Sequence, residues 1–262
     1  QVSPLLVSGL TTWSSVSAGE AHSAATRANG TMWAWGQNAY GQLGDGTTDS
    51  RTSPVQVGSA TTWSSVSAGD RHTVATRTDG TLWAWGGNAS GQVGDGTTVD
   101  RTSPVQVGSA TTWKTVDAGG YHTLATRTDG TAWAWGLNSL NQVGDGTTTN
   151  RTSPVQVGSA TTWRTIGAGR LHTFGLRTDG TAWGWGYNAS GQLGDGTTTT
   201  RAVPTQVGPV HDWKLVSIGF RHTLGTRVDG TLSLDEILDV SGMPRLEAYR
   251  YLAQLFLRGI LR

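Results

Sequence analysis

The sequence has no cysteine, which excludes disulfides, thiolate nucleophiles and cysteine-ligated metals. Lysine occurs only at Lys114 and Lys214, and basic and acidic residues nearly cancel, with 19 against 18 and a net charge of +1. A chain so balanced carries no phosphate-binding footprint, so no nucleic-acid partner is expected. No apolar run reaches the roughly 18 residues of a membrane span, and no membrane association is expected. No signal peptide is read at the start. A soluble protein follows, cytoplasmic or secreted. Phenylalanine (3) and methionine (2) are also scarce, so the usual aromatic and flexible core fillers are missing.

What fills their place is tryptophan (13) and glycine (38), both locked to a repeat of 50 residues. Trp13, Trp63, Trp113, Trp163 and Trp213 hold one register; His22, His72, His122, His172 and His222 hold another. Arg27, Arg77, Arg127, Arg177 and Arg227 hold a third, each followed by a glycine three positions on. A fixed period of this size marks an array whose units bury their faces against neighbours. Units fall near 3–52, 53–102, 103–152 and 153–202, with a partial fifth over 203–232.

Within each unit four short strands are predicted. In the second these are 63–68, 72–77, 81–86 and a closing strand over 103–107, with alternation in the first and turn residues between. The Asp79-Gly80 pair predicts a hairpin with positive φ at both central positions. Pro104 is expected at the first residue of an edge strand. Ser3 to Val7 aligns with the closing strand of the later units, as though an N-terminal strand completed the last blade.

These residues, written AGxxHTxAxRxDGTxWAWGxNxxGQxGDGT, resemble the regulator of chromosome condensation repeat, a β-propeller family. The resemblance covers residues 1 to about 232 and occurs four times in full. It implies an all-β propeller of four-stranded blades. Members usually have more blades than this chain has units, so either five blades close through the N-terminal strand or the ring is incomplete. An incomplete ring leaves room for a homo-oligomer.

At Ser233 the repeat stops. Ser233 and Glu236 form a capping box, and Leu234, Ile237, Leu238, Leu246, Tyr249, Ala253, Phe256 and Ile260 follow helical spacing. Residues 233–262 are expected as a helix–turn–helix appendage, similar to the latter part of a winged-helix domain. Its four acidic residues balance four arginines, which argues for a cap on the last blade or a subunit contact over a DNA reader.

The repeated histidines come one per unit, which distributes them around a ring and away from any shared metal; they read as scaffold. Asp45, Asp95, Asp145 and Asp195 in GDGTT lack the ligand density of a calcium loop and read as turn formers, paired with Arg51, Arg101, Arg151 and Arg201. No GK[ST] follows the glycines and no GxSxG elbow occurs, so neither phosphate binding nor nucleophilic catalysis has an anchor. No cofactor, metal or enzymatic activity is expected. The Trp33/Trp35 pair and its counterparts read as packing between blades; an aromatic sugar platform is the alternative.

The units differ among themselves at loop positions between strands. Ahead of each repeated His stand Glu20, Asp70-Arg71, Tyr121, Arg170-Leu171 and Phe220-Arg221. After the WG dipeptide stand Leu137 and Tyr187, with Tyr40 and Leu140 slightly further on. Large aromatic, arginine and leucine side chains of this kind anchor interfaces. The expected function is therefore a non-enzymatic protein-interaction scaffold. A lectin-like or cell-surface glycan module is an alternative. The resemblance also implies a guanine-nucleotide exchange factor for a small GTPase, though that activity in the family depends on an inserted wedge for which strict 50-residue spacing leaves no room.

Overall fold

Alternating side chains force each repeat into a sheet with two unlike faces, and those faces decide everything that follows. The structure, a computed structural model, describes residues 12–209 and 211–227. Four antiparallel sheets of four strands occupy the order in sequence, and two strands of a fifth follow. The first sheet is β1 (Trp13–Ala18), β2 (His22–Arg27), β3 (Met32–Gly36) and β4 (Arg51–Gln56). The second is β5 (Trp63–Ala68), β6 (His72–Arg77), β7 (Leu82–Gly86) and β8 (Arg101–Gln106). The third is β9 (Trp113–Ala118), β10 (His122–Arg127), β11 (Ala132–Gly136) and β12 (Arg151–Gln156). The fourth is β13 (Trp163–Ala168), β14 (His172–Arg177), β15 (Ala182–Gly186) and β16 (Arg201–Gln206), and the fifth unit supplies β17 (Trp213–Ile218) and β18 (Thr223–Arg227). The sheets start at the tryptophans, about ten residues after the sequence units begin. Among the described residues there is no helix; the N-terminal closing strand and the helical appendage lie outside them.

In the second blade, register puts His72 opposite Gly86, Val74 opposite Ala84 and Thr76 opposite Leu82 on one face. The other face carries Thr73 opposite Trp85 and Ala75 opposite Trp83. The aliphatic face of one blade packs on the tryptophan face of the next: Val74, Leu82 and Ala84 lie with Trp113, Ala125 and Trp135 in one buried cluster. Trp85, Trp135 and Trp185 are fully buried there. Each buries well over a hundred Å² of apolar surface, which offsets the shortage of phenylalanine and leucine.

Polar groups also cross the seam. Thr73 Oγ1 donates to the Gln42 carbonyl at 2.8 Å, so its oxygen is left to accept from His22 Nε2 at 2.8 Å. His72 with Thr123 and Gln92, and His122 with Thr173 and Gln142, repeat the relay. The Nε2–H tautomer follows, because a hydroxyl has one proton to give. Trp85 Nε1 donates to the same Gln42 carbonyl at 3.0 Å. The histidines join blades; they do not form a site.

The long loop after each third strand wraps a buried asparagine. Asn38 Nδ2 donates to Asp45 and to the Thr47 and Asp49 carbonyls, and Asn38 Oδ1 accepts from the Leu43 amide. Asp45 takes the Thr47 amide and hydroxyl on one oxygen and Arg51 on the other. The same ion pair recurs at Asp95–Arg101, Asp145–Arg151 and Asp195–Arg201, at 2.6–2.7 Å. GDGTT is a brace. Gly44, at φ +74°, sits so close to the next blade that an added Cβ would lie 2.6 Å from Trp85 Nε1.

Two local expectations are corrected. In the hairpin after β6 only Gly80 has positive φ, because Gly80 N–H bonds the Arg77 carbonyl and Arg77 N–H bonds the Thr81 carbonyl. That is a three-residue loop with a bulge glycine, and Asp79 instead accepts from the Thr81 amide and hydroxyl. Pro104 lies inside β8 and not at its start; β8 is outermost in its sheet, and the ladder shifts register between Ala84 and Gly86.

Candidate functional site

The inner strands β1, β5, β9, β13 and β17 lie side by side around the axis, and the loop leaving each one ends at the axial opening. Backbone bonds stitch these loops together: Glu20 N–H to the Gly69 carbonyl, Gly120 N–H to Gly169, and Arg170 N–H to Phe220. Below them, side chains do the same. Ala68 N–H bonds Ser17 Oγ at 3.0 Å, Ala118 N–H bonds Ser67 Oγ at 3.0 Å, and Ala168 N–H bonds Asp117 Oδ2 at 2.8 Å. Ser67 Oγ donates to the other Asp117 oxygen at 2.8 Å. Burial pushes the Asp117 carboxyl up, against the bonds from Ala168 and Ser67 that pull it down.

On this framework Glu20, Asp70, Arg170 and Phe220 come together at the mouth of an axial cavity of about 250 Å³. Asp70 is buried, and its Oδ2 lies 3.6 Å from Arg170 Nε across the third blade. Gly120 makes this reach feasible, since a Cβ there would meet Arg170 Cγ at 2.7 Å. Burial and the neighbouring Glu20 raise the Asp70 carboxyl above its ordinary range, with Arg170 and Arg71 acting the other way.

Around the cavity runs an arc in which rings and guanidinium groups alternate. Arg71 lies over the Tyr40 ring at 4.7 Å and 5.7 Å from that of Tyr121. Arg170 lies 6.0 Å from the Tyr121 ring and 4.8 Å from that of Phe220, and Arg221 lies 5.8 Å from Phe220. Such contacts hold the arginines in place while leaving their N–H groups available. Between the fourth blade and the fifth unit a second hollow of about 330 Å³ is lined by Leu140, Arg170, Leu171, Tyr187, Phe220 and Arg221. Phe220 is 43% exposed.

Eleven of the twelve sequence-selected residues thus border the cavity, the arc or the hollow. Leu137 borders none of them; it is half-buried and its amide bonds the Tyr121 carbonyl. Sequence reasoning did not single out Gly120, whose missing side chain at a position held elsewhere by Glu, Asp, Arg and Phe was the available signal. Among the described residues no group of three His, Cys, Asp or Glu could hold a metal ion. Trp83 is no open platform: Arg77 covers its ring at 3.8 Å and Trp63 meets it edge-on.

Models of the regulator of chromosome condensation (RCC1) repeat match residues 29–76, 79–126, 129–176 and 179–225. The chain belongs to the RCC1 repeat family. A second model of this repeat matches 13–42, 63–92, 113–142 and 163–192. Among solved structures the chain is similar to human WBSCR16, at 23% identity and a TM-score of 0.73, covering 82% of this chain and 57% of that one. It is similar also to Prp20p from Saccharomyces cerevisiae, at 22% identity and a TM-score of 0.75, covering 91% and 61%. A yeast structure of Kap60 bound to Prp20 gives 21% identity, a TM-score of 0.72 and coverage of 86% and 56%. The chain therefore spans less than two thirds of these RCC1-like proteins. They support the propeller fold and not a shared partner. No curated protein matches.

Proposed function

We propose that this RCC1 repeat protein is a non-enzymatic scaffold that grips a protein partner with the loop face of its blades. The observation that carries the reading is the arc Tyr40–Arg71–Tyr121–Arg170–Phe220–Arg221, which spends large, ring-stacked side chains on a surface where the blades need none. Aromatic and arginine anchors beside apolar hollows are the composition of interface hot spots. Glu20 and Asp70 offset all but one of the charges of Arg71, Arg170 and Arg221, so the face lacks the large excess that phosphate backbones need. The structural study of Prp20p concerned binding to Gsp1p and histones, and Kap60 was captured on the same yeast protein. A protein partner for this chain is in keeping with that.

The test is affinity capture from a lysate with wild type and with a variant carrying Tyr121→Ala, Arg170→Ala and Phe220→Ala together. Loss of an anchor costs about 2 kcal/mol or more, so recovery of specific partners should fall at least tenfold while thermal unfolding stays cooperative. Equal recovery of the same partners would place binding on another surface.

A further inference from the structure

The lining of the axial cavity carries more acid than base. Its walls are the backbone and methyl groups of Ala18-Gly19 and the corresponding dipeptides, and its charged groups are Glu20, Asp70 and Arg170. Asp70 is only 5% exposed, yet its Oδ2 accepts no hydrogen bond among the described residues. Arg170 Nε forms an ion pair with it at 3.6 Å, too long for a hydrogen bond, while the guanidinium lies over the Phe220 ring at 4.8 Å. Two carboxylates and one cation thus line a hollow of about 250 Å³, with Arg71 acting on Asp70 from the arc outside it. A buried carboxylate oxygen without a donor is costly, and a cation entering the hollow would relieve it. Burial and Glu20 both press on Asp70 in the same sense.

The shape selects the cation. Alanine methyl groups suit a methylene stem, and one orphan oxygen with a second carboxylate at the rim suits a compact ammonium with three donors. A divalent metal would want about six oxygens, and no cluster of three acidic or imidazole groups exists among the described residues. We infer that the axial cavity is a socket for a lysine ammonium of the protein partner, with Asp70 and Glu20 as its counter-ions. This rests on the reading of the loop face as the partner-binding surface.

The experiment titrates the full chain with Nα-acetyl-lysine N-methylamide, followed by NMR at the Gly69 and Gly119 amides and the Asp70 carboxyl. Saturable shifts are expected, with the neutral isostere, the corresponding 2-aminoheptanoic acid derivative, binding at least tenfold more weakly. Asp70→Asn should lower the affinity at least tenfold. Glu20→Gln, at an exposed side chain that cannot compromise folding, should lower it severalfold and decides the matter if Asp70→Asn unfolds. Arg170→Gln should tighten it by removing the internal competitor, although the same residue is needed in the arc. Equal binding of the neutral isostere, unchanged affinity in Glu20→Gln, or saturation of the same signals by calcium chloride in place of the lysine analogue would each overturn the socket. Because this titration contains no partner, its failure is distinct from failure of the capture experiment.

Discussion

Lowering the pH from 7.5 to 5 should strip this protein of a large part of its stability, through its buried histidines. Burial holds the imidazoles of His72 and His122 down to a pKa of about 3 and those of His22 and His172 to about 4. The Nδ1 atoms of His22, His72 and His122 have no partner, and that of His72 abuts Gly69, so a proton added there finds no acceptor. The unfolded chain takes up these protons below about pH 6.5 and the folded chain does not, so the unfolded state gains free energy as pH falls. Each histidine costs about 2 kcal/mol at pH 5, hence about 8 kcal/mol for the four, on a scale where whole domains have about 5–15 kcal/mol. The loss begins at about pH 6.5 and levels off once the folded pKa values near 3–4 are passed. Urea unfolding followed by tryptophan fluorescence at intervals between pH 7.5 and 5 measures it. The slope should reach about 5 kcal/mol per pH unit near pH 5, and His122→Gln should remove about a quarter of it regardless of its cost at pH 7.5. A stability flat across this range, or rising toward pH 5, would refute the buried neutral relay.

The seam and the axis allow three further tests. Gly44→Ala combines a positive-φ penalty with a Cβ driven against Trp85, and should cost about 3 kcal/mol or more in chemical unfolding. Trp85→Phe removes the bond to the Gln42 carbonyl and leaves a void, so a loss of about 2–3 kcal/mol is expected, smaller than the roughly 4 kcal/mol of Trp85→Ala; calorimetry of the three proteins checks the order. Asp117→Ser keeps an acceptor for Ala168, as Ser17 does for Ala68, and should cost under about 1 kcal/mol. Asp117→Leu strands that amide and should cost about 1–3 kcal/mol, with faster amide exchange at Ala168 as its local signature.

The strands were legible because each is short, alternating and bounded by turn residues: 63–68 and 72–77 coincide with β5 and β6. The closing strand starts earlier than its apolar residues suggest, because Arg101 must pair with Gly86 while reaching back to Asp95. Local pattern also misjudged Asp79, whose side chain makes its own turn and removes the need for positive φ. Loop positions that vary between units pointed to the face. Their grouping was not legible, since Asp70 and Arg170 stand 100 residues apart in sequence and meet only because blades curve around an axis. Nothing along the chain distinguishes Leu137 from Tyr187, yet one sits against the Tyr121 backbone and the other lines a hollow.

The repeat divides its residues into two populations by what their polar atoms are already doing. His72, Thr73, Trp85, Asn88 and Asp95 are bound to partners within or across blades, so a ligand could claim them only by breaking the seam. Trp135 and Trp185 are held as Trp85 is, each through Nε1 to a backbone carbonyl of the preceding blade. The proposed binding face draws on the few loop positions that the seam does not use, and every unit contributes to it. A single blade presents too little area to hold a partner, but curvature brings the contributions of Arg71, Tyr121, Arg170 and Phe220 within ring-contact distance of one another. Asp70 stands where the loops converge, buried like the scaffold residues, with its Oδ2 held only by the long ion pair to Arg170.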